Sequence, residues 1–373
     1  MRIAELPTPA AIVDLGVVER NCVRMAERAR DLGVRLRPHV KTHKCIEAAR
    51  LSVEGHFGGI CVSTLAEARF FADAGFDDIT YAVPISIARL PEAVTLAGEV
   101  RLGLLVDHLD AVNALETEAG RAGSSLDVWL KIDCGYHRAG VLPGTPESHA
   151  LVVALVNAAH LRFAGLLTHG GHSYGCHDVE GIRAVARQER DAVVGFADEL
   201  RREGIDVPGV SVGSTPTMSV ADDLTGVTEV RPGNYVLYDA FQAAIGSCRL
   251  EDAALSVLVS VIGVHGGESA RVVTDGGALA LSKDAGARHV DPEAGYGIVA
   301  DVDGHPIPGL RLSSLSQEHG LVHGEAGALE ALRVGDRLRI IANHSCLAAA
   351  LHDRFEVVRD GQVVDVWRPV RGW

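Results

Sequence analysis

The sequence predicts a (β/α)8 TIM-type barrel followed by an antiparallel β domain, and three observations predict it. Strand-like and helix-like stretches alternate from about Pro9 to Asp239 in units of roughly 25–30 residues, the rhythm of parallel strands joined by crossover helices. No G-x-G-x-x-G follows the first strand, which weighs against an open doubly wound sheet. After Phe241 the texture changes to short strands separated by Gly or Asp-Gly turns.

The elements follow in order. AIVDL reads as a strand, and VVERNCVRMAERARDLG as an amphipathic helix stopped at Gly33. VRLRPHV is a strand, KCIEAARLSVEG a helix, GGICVS a strand and TLAEARFFADAG a helix. DITYAVP with IARLPEAVTLAG, and RLGLLVD with DHLDAVNALETEAGRAG, make two further strand–helix pairs. LDVWLKIDCG, LRFAGLLTHGG, GVSVGS and TEVRPGNY continue the strand series, with a long helix around GIRAVARQERDAVVGFADELRREG. Residues 12–241 therefore form the expected barrel, and residues 1–11 with 242–373 the β domain. No low-complexity linker separates them.

Composition narrows the function. The chain of 373 residues is 47% apolar but only 5% aromatic, so aliphatic side chains must fill the core. A net charge of −14 argues against a nucleic-acid or anionic-membrane partner, either of which favours a basic face. Seven scattered cysteines without a C-x-x-C read as free thiols in a reducing compartment. The N-terminus lacks a basic segment leading into an apolar one, and no apolar run reaches the roughly 20 residues of a membrane span. The expected setting is the cytoplasm.

In a barrel of this kind, chemistry gathers where strands end. Polar candidates there are Lys41 after RPHV, Asp133 and Arg138 in KIDCGYHRAG, and His169, His172 and Tyr174 in LLTHGGHSYG. Ser214 and Thr215 in GSTPT and Arg231, Gly233 and Asn234 in VRPGNYVLYD complete the set. A lysine closing a core strand has a partly desolvated amine, the condition for condensing with a carbonyl. Most lysines merely lay their stems along the surface, and Lys44, on the following helix, is expected to be one of these. GSTPT and RPGNY are small-residue loops after the seventh and eighth strands, where barrels often hold a phosphate. With a candidate lysine on an early strand they suggest pyridoxal phosphate. In ANHSC, His344 and Cys346 stand two apart, which on a strand puts both on one face. Imidazole and thiolate suit zinc. A buried cysteine beside a hydrogen-bonded histidine is the plainer alternative.

TPAAIVDL, RPHVKTHK, ITYAVPI, KIDCGYHRAGV, SVGSTPT, RPGNYVLYD, GALALSKD, SQEHG and NHSC together resemble the metal-dependent D-serine dehydratases. These are fold-type III pyridoxal enzymes with an alanine-racemase-like barrel and a β domain. The chain departs from the pattern at Ala342, where proline is expected. The resemblance implies a lyase that converts D-serine to pyruvate and ammonia by α,β-elimination. D-threonine aldolase and D-threo-3-hydroxyaspartate dehydratase are the alternatives on this scaffold. It implies that Lys41 carries the cofactor and takes the Cα proton, and that Ser214, Thr215, Gly233 and Asn234 hold the phosphate. Arg138 would face the phenolic oxygen and Tyr174 the pyridine nitrogen. His172 and Gln317–His319 would line the substrate region. His344 and Cys346 would bind zinc, or alternatively manganese or magnesium. The small-molecule partner is a D-amino acid, and the assembly a homodimer. A barrel that carries the same cofactor as a regulator, without turnover, is the competing class; it would lack the β domain and its metal pair.

Overall fold

The computed structural model describes residues 1–373. The chain divides into two compact units, Arg24–Gly233 with Val370–Trp373, and Met1–Val23 with Asn234–Pro369.

The first unit is the barrel. Strand β1 (Ala10–Asp14) lies outside it. Its strands are β2 (Arg35–Leu36), β3 (Ile60–Val62), β4 (Asp78–Pro84), β5 (Arg101–Val106), β6 (Leu126–Lys131), β7 (Leu161–Leu167), β8 (Val210–Val212) and β9 (Glu229–Val230). They run parallel in the order β2-β9-β8-β7-β6-β5-β4-β3. The two ends of that path meet through a parallel bridge between His39 and Cys61, whose N–H donates to the Pro38 carbonyl at 2.8 Å. Helices cover one face of the parallel sheet while side chains fill the other, so the strands read as near-continuous apolar runs. In β6 every residue is buried, the terminal Lys131 included.

Local chemistry sets the crossover helices. Thr64 caps Leu65–Asp73 by accepting from the Glu67 N–H. Thr145 and Ser148 cap Pro146–Asn157 reciprocally, with proline at the first turn. Asp178 caps the long helix Val179–Arg202, which brings buried Glu189 to the barrel strands' ends.

The second unit is a mixed, mainly antiparallel nine-stranded sheet. It holds β1 together with β10 (Leu255–His265), β11 (Arg271–Thr274), β12 (Gly297–Ala300), β13 (Leu310–Leu315), β14 (Gly320–Gly324), β15 (Arg337–Ala342), β16 (Phe355–Arg359) and β17 (Gln362–Trp367). Val257, Val259, Val272, Leu312, Val322 and Ile340 centre its core. Asp360 and Gly361 join β16 to β17 with φ of 50° and 73°, the doubly positive pair that a two-residue hairpin turn requires.

One element differs from expectation. AIVDL is predicted as the first barrel strand, yet β1 pairs antiparallel with β10 and parallel with β16. A short buried apolar strand before an amphipathic helix looks the same whichever sheet accepts it. The eight strands that follow still make the ring. No helix of the chain is long and apolar enough to cross a membrane.

Candidate active site

Lys41 lies in the turn Val40–Thr42 that follows the stretch paired along β9, and it is half-buried. The two neighbouring lysines have different surroundings. Lys44 does not begin a helix; it sits at φ 53° with its Nζ 2.9 Å from Oε1 of Glu67, a fully buried carboxylate. Lys41 pairs with no carboxylate. His43 is a turn former, its Nδ1 accepting the Cys45 N–H at 3.3 Å. His39 is buried with Nε2 3.4 Å from Ser63 Oγ, and its Nδ1 has no partner within the protein.

The groups around Lys41 are mostly basic. Burial holds His39 neutral, reinforced by Lys41, Arg231 and His169. Burial likewise keeps His169 neutral, followed by the charges of Lys41 and Lys131, while its Nδ1 lies 3.0 Å from the Gly213 carbonyl. Lys131 is 6% exposed, and burial followed by the charge of Arg231 pushes it down to about 7. Arg231 donates from Nε to Ser211 Oγ at 2.7 Å and from Nη2 to the Thr168 carbonyl, neither of them a charge partner. The buried basic groups beside Lys41 and the unpartnered His39 nitrogen fit an anionic cofactor, and pyridoxal phosphate is one.

The loops after β6 and β7 add an aromatic assembly. Tyr136 stacks on His172 with centroids 6.1 Å apart and meets His169 edge-on at 6.2 Å. The Arg138 guanidinium lies over the Tyr136 ring at 5.0 Å. His172 Nε2 is 3.4 Å from Gln188 Oε1, and Tyr174 shares its turn, Gly171–Gly175. Asp133 is a builder of this loop, accepting from the N–H groups of Gly135 and His137 and pairing with the His137 ring at 2.8 Å.

Glu189 ties the loops after β7 and β8 together. Its Oε1 accepts the N–H of Gly170 and, at 3.0 Å, that of Gly213, while Oε2 accepts the Thr217 hydroxyl at 3.0 Å. Ser214 and Thr215 are buried there, and the Ser214 hydroxyl caps the short helix Thr215–Val220 by accepting the Thr217 N–H at 3.2 Å. Gly233 packs against the first barrel turn: a Cβ there would come within 2.4 Å of the His39 carbonyl oxygen. Sequence reading gave no role to Glu189, Tyr136 or Lys131. For Lys131 a signal existed, a lone cation inside the apolar run LDVWLKI.

The second unit carries the imidazole–thiol pair. It does not lie on a strand: β15 ends at Ala342, and His344 is the residue that opens the helix Ser345–Ala349. The turn nevertheless brings the Cys346 thiol within hydrogen-bonding reach of the His344 ring. His344 Nδ1 is 3.0 Å from Asp284 Oδ2. Burial disfavours the imidazolium, but Asp284 and Cys346 outweigh it and raise His344 to about 11. The proton at Nδ1 has a partner, so Nε2 is the nitrogen left for a cation beside the thiol, a donor set that suits zinc. Asn234 belongs to this neighbourhood: its Nδ2 donates to Asp239 Oδ2 at 2.8 Å and Ser345 Oγ at 2.9 Å. Asp239 also accepts the Ser345 N–H at 2.9 Å, and burial pushes its carboxyl upward.

Comparison with known proteins agrees with both units. Residues 13–240 match the family model for the alanine racemase N-terminal domain, and residues 254–358 the putative serine dehydratase domain. The D-threo-3-hydroxyaspartate dehydratase of Delftia sp. (strain HT23) is 41% identical over 99% of this chain and 98% of its own. Its solved structure superimposes with a TM-score of 0.95 at 40% identity, covering 100% of each chain. Another solved structure of a D-threo-3-hydroxyaspartate dehydratase, a cysteine-to-alanine mutant in the metal-free form, has the same TM-score at 39% identity and the same coverage. The D-serine dehydratase of Dictyostelium discoideum is 35% identical over 100% of this chain and 98% of its own.

Proposed function

We propose that this chain, which belongs to the family of alanine-racemase-like enzymes with a serine dehydratase domain, is a pyridoxal phosphate- and metal-dependent lyase, D-serine ammonia-lyase. It would remove water from D-serine across Cα and Cβ, and the resulting 2-aminoacrylate hydrolyses to pyruvate and ammonia. The observation that carries the reading is Lys41, a strand-end amine with no carboxylate partner amid buried basic groups, while adjacent Lys44 is neutralised by Glu67.

When bound, pyridoxal phosphate withdraws electron density from the substrate's Cα, and a divalent cation polarises the β-hydroxyl that must depart. Lys41 would hold the cofactor and take the Cα proton. Ser214, Thr215, Gly233 and Asn234 hold the phosphate. Arg138, which lies over the Tyr136 ring, would stand by the phenolic oxygen, and Tyr174 near the ring nitrogen. His172 and Gln317–His319 bound the substrate. His344 and Cys346 hold the cation; thiolate favours zinc over manganese or magnesium. The enzyme is a cytoplasmic homodimer in this reading.

A second reading, D-threo-3-hydroxyaspartate dehydratase, is favoured by the 41% identity to the Delftia enzyme. A panel of D-serine, D-threo-3-hydroxyaspartate and D-threonine, assayed in parallel for 2-oxoacid and for glycine, separates the options. Pyruvate from D-serine without glycine from any substrate is expected. Glycine and an aldehyde would assign aldol cleavage instead, and oxaloacetate as the dominant product would move the chain to the second reading.

A further inference from the structure

Asp284 has no part in the scheme above, yet the chain fixes it from several sides. Its Oδ2 lies 3.0 Å from His344 Nδ1. Its Oδ1 accepts the Gly286 N–H at 2.8 Å, and its own N–H donates to Ser282 Oγ at 3.2 Å. Its carbonyl accepts Asn343 Nδ2 at 3.0 Å, and Asn343, the residue before His344, also donates to the Gly295 carbonyl at 3.0 Å. The carboxylate and the imidazole are thus held in register through backbone and side chain together. Their side chains are 24% and 31% exposed, so as a mere ion pair they would add little to stability.

A histidine that binds a cation through one nitrogen must be neutral, with its proton on the other. A carboxylate at the far nitrogen keeps the proton there, fixes the plane of the ring and makes the free lone pair a stronger donor. We propose that Asp284 is a positioning residue: it holds His344 with the proton on Nδ1 and Nε2 turned to the cation, and so sets the metal affinity of the His344–Cys346 pair. The inference rests on the reading that this pair binds a metal, and goes beyond it by naming what tunes the pair.

The test uses the full-length, cofactor-loaded protein and zinc as the probe, with affinity measured by competition against a chromogenic chelator. Asp284→Ala is expected to weaken zinc binding by roughly 10–100-fold. Asp284→Asn, which keeps an acceptor oxygen but no charge, should weaken it less. Cobalt(II) in place of zinc should keep a thiolate charge-transfer band in both variants, with altered visible bands in Asp284→Ala. Retained cofactor absorbance reports that the chain is folded. His344→Ala separates the two levels: if that variant binds zinc as tightly as the parent protein, the metal pair itself is wrong. If His344→Ala abolishes binding while Asp284→Ala stays within twofold of the parent, the positioning role is overturned and the metal pair stands. Loss of binding in Asp284→Ala as complete as in His344→Ala would make Asp284 a ligand, which also overturns the proposal. Should Asp284→Ala fail to fold, Asp284→Asn decides: unchanged affinity refutes the role and weakened affinity supports it.

Discussion

Glu189 offers the sharpest test of how the barrel holds its loops. Replacing it with alanine leaves the N–H groups of Gly170 and Gly213 and the Thr217 hydroxyl without their acceptor. Hydrogen bonds to a charged group contribute about 1.5–3 kcal/mol each. Relief from burying the carboxylate offsets part of that sum, which leaves a net cost of about 3–5 kcal/mol. Glutamine should behave differently. Its carbonyl oxygen can accept both N–H groups, and its amide can donate to Thr217, whose hydroxyl then turns to the Ser214 carbonyl 3.3 Å away. The expected cost is about 1 kcal/mol, the scale of one imperfect neutral hydrogen bond. A unit of this size loses about 2–4 °C per kcal/mol. Alanine should therefore lower the melting temperature by about 10 °C, and glutamine by less than about 4 °C. Scanning calorimetry of both variants, with cofactor affinity measured by titration, reads the difference. Equal effects of alanine and glutamine would refute the idea that acceptor geometry at Glu189 joins the two loops.

Other outcomes follow from the same geometry. Lys41→Ala should lose the visible absorbance of protein-bound cofactor together with pyruvate formation, whereas Lys44→Ala should keep the absorbance; a persisting band in Lys41→Ala would remove that lysine from its role. Prolonged dialysis against EDTA should abolish pyruvate release from D-serine, and added zinc should restore it. Lys131 gives a pH signature. Its pKa falls from 10.5 unfolded to about 7 folded, so between those values the unfolded chain binds the extra proton and stability rises with pH. Lys131→Met should stabilise the cofactor-free protein by a few kcal/mol near pH 7, with the gain shrinking toward pH 10; melting temperatures across that range check it, and a pH-independent difference would contradict it.

Much of the fold was legible because parallel strands write themselves as apolar runs and crossover helices as amphipathic ones. The limit shows at β1, whose run AAIVD satisfies either sheet; only the partner strands, more than 200 residues away, decide. The sequence separates Lys41 from Lys44 only by position; what sets their surroundings apart, the buried carboxylate of Glu67, lies on the helix Leu65–Asp73. His344 and Cys346 stand out by residue type, but a helix-opening turn aligns them, not the strand their spacing suggests. Tyr136, Glu189 and Asp284 act through partners distant in sequence, and such roles have no local signature.

The seam of the barrel has a consequence for cofactor exchange. β2 and β3 are only two and three residues long, and the ring is completed between them by the single His39–Cys61 bridge, two residues before Lys41. A closure so slight is where the cylinder would gape first under thermal agitation. If the proposed prosthetic group is anchored on that lysine, it would act as a clasp across the gap, so occupancy and the cylinder's resistance to opening should rise and fall together.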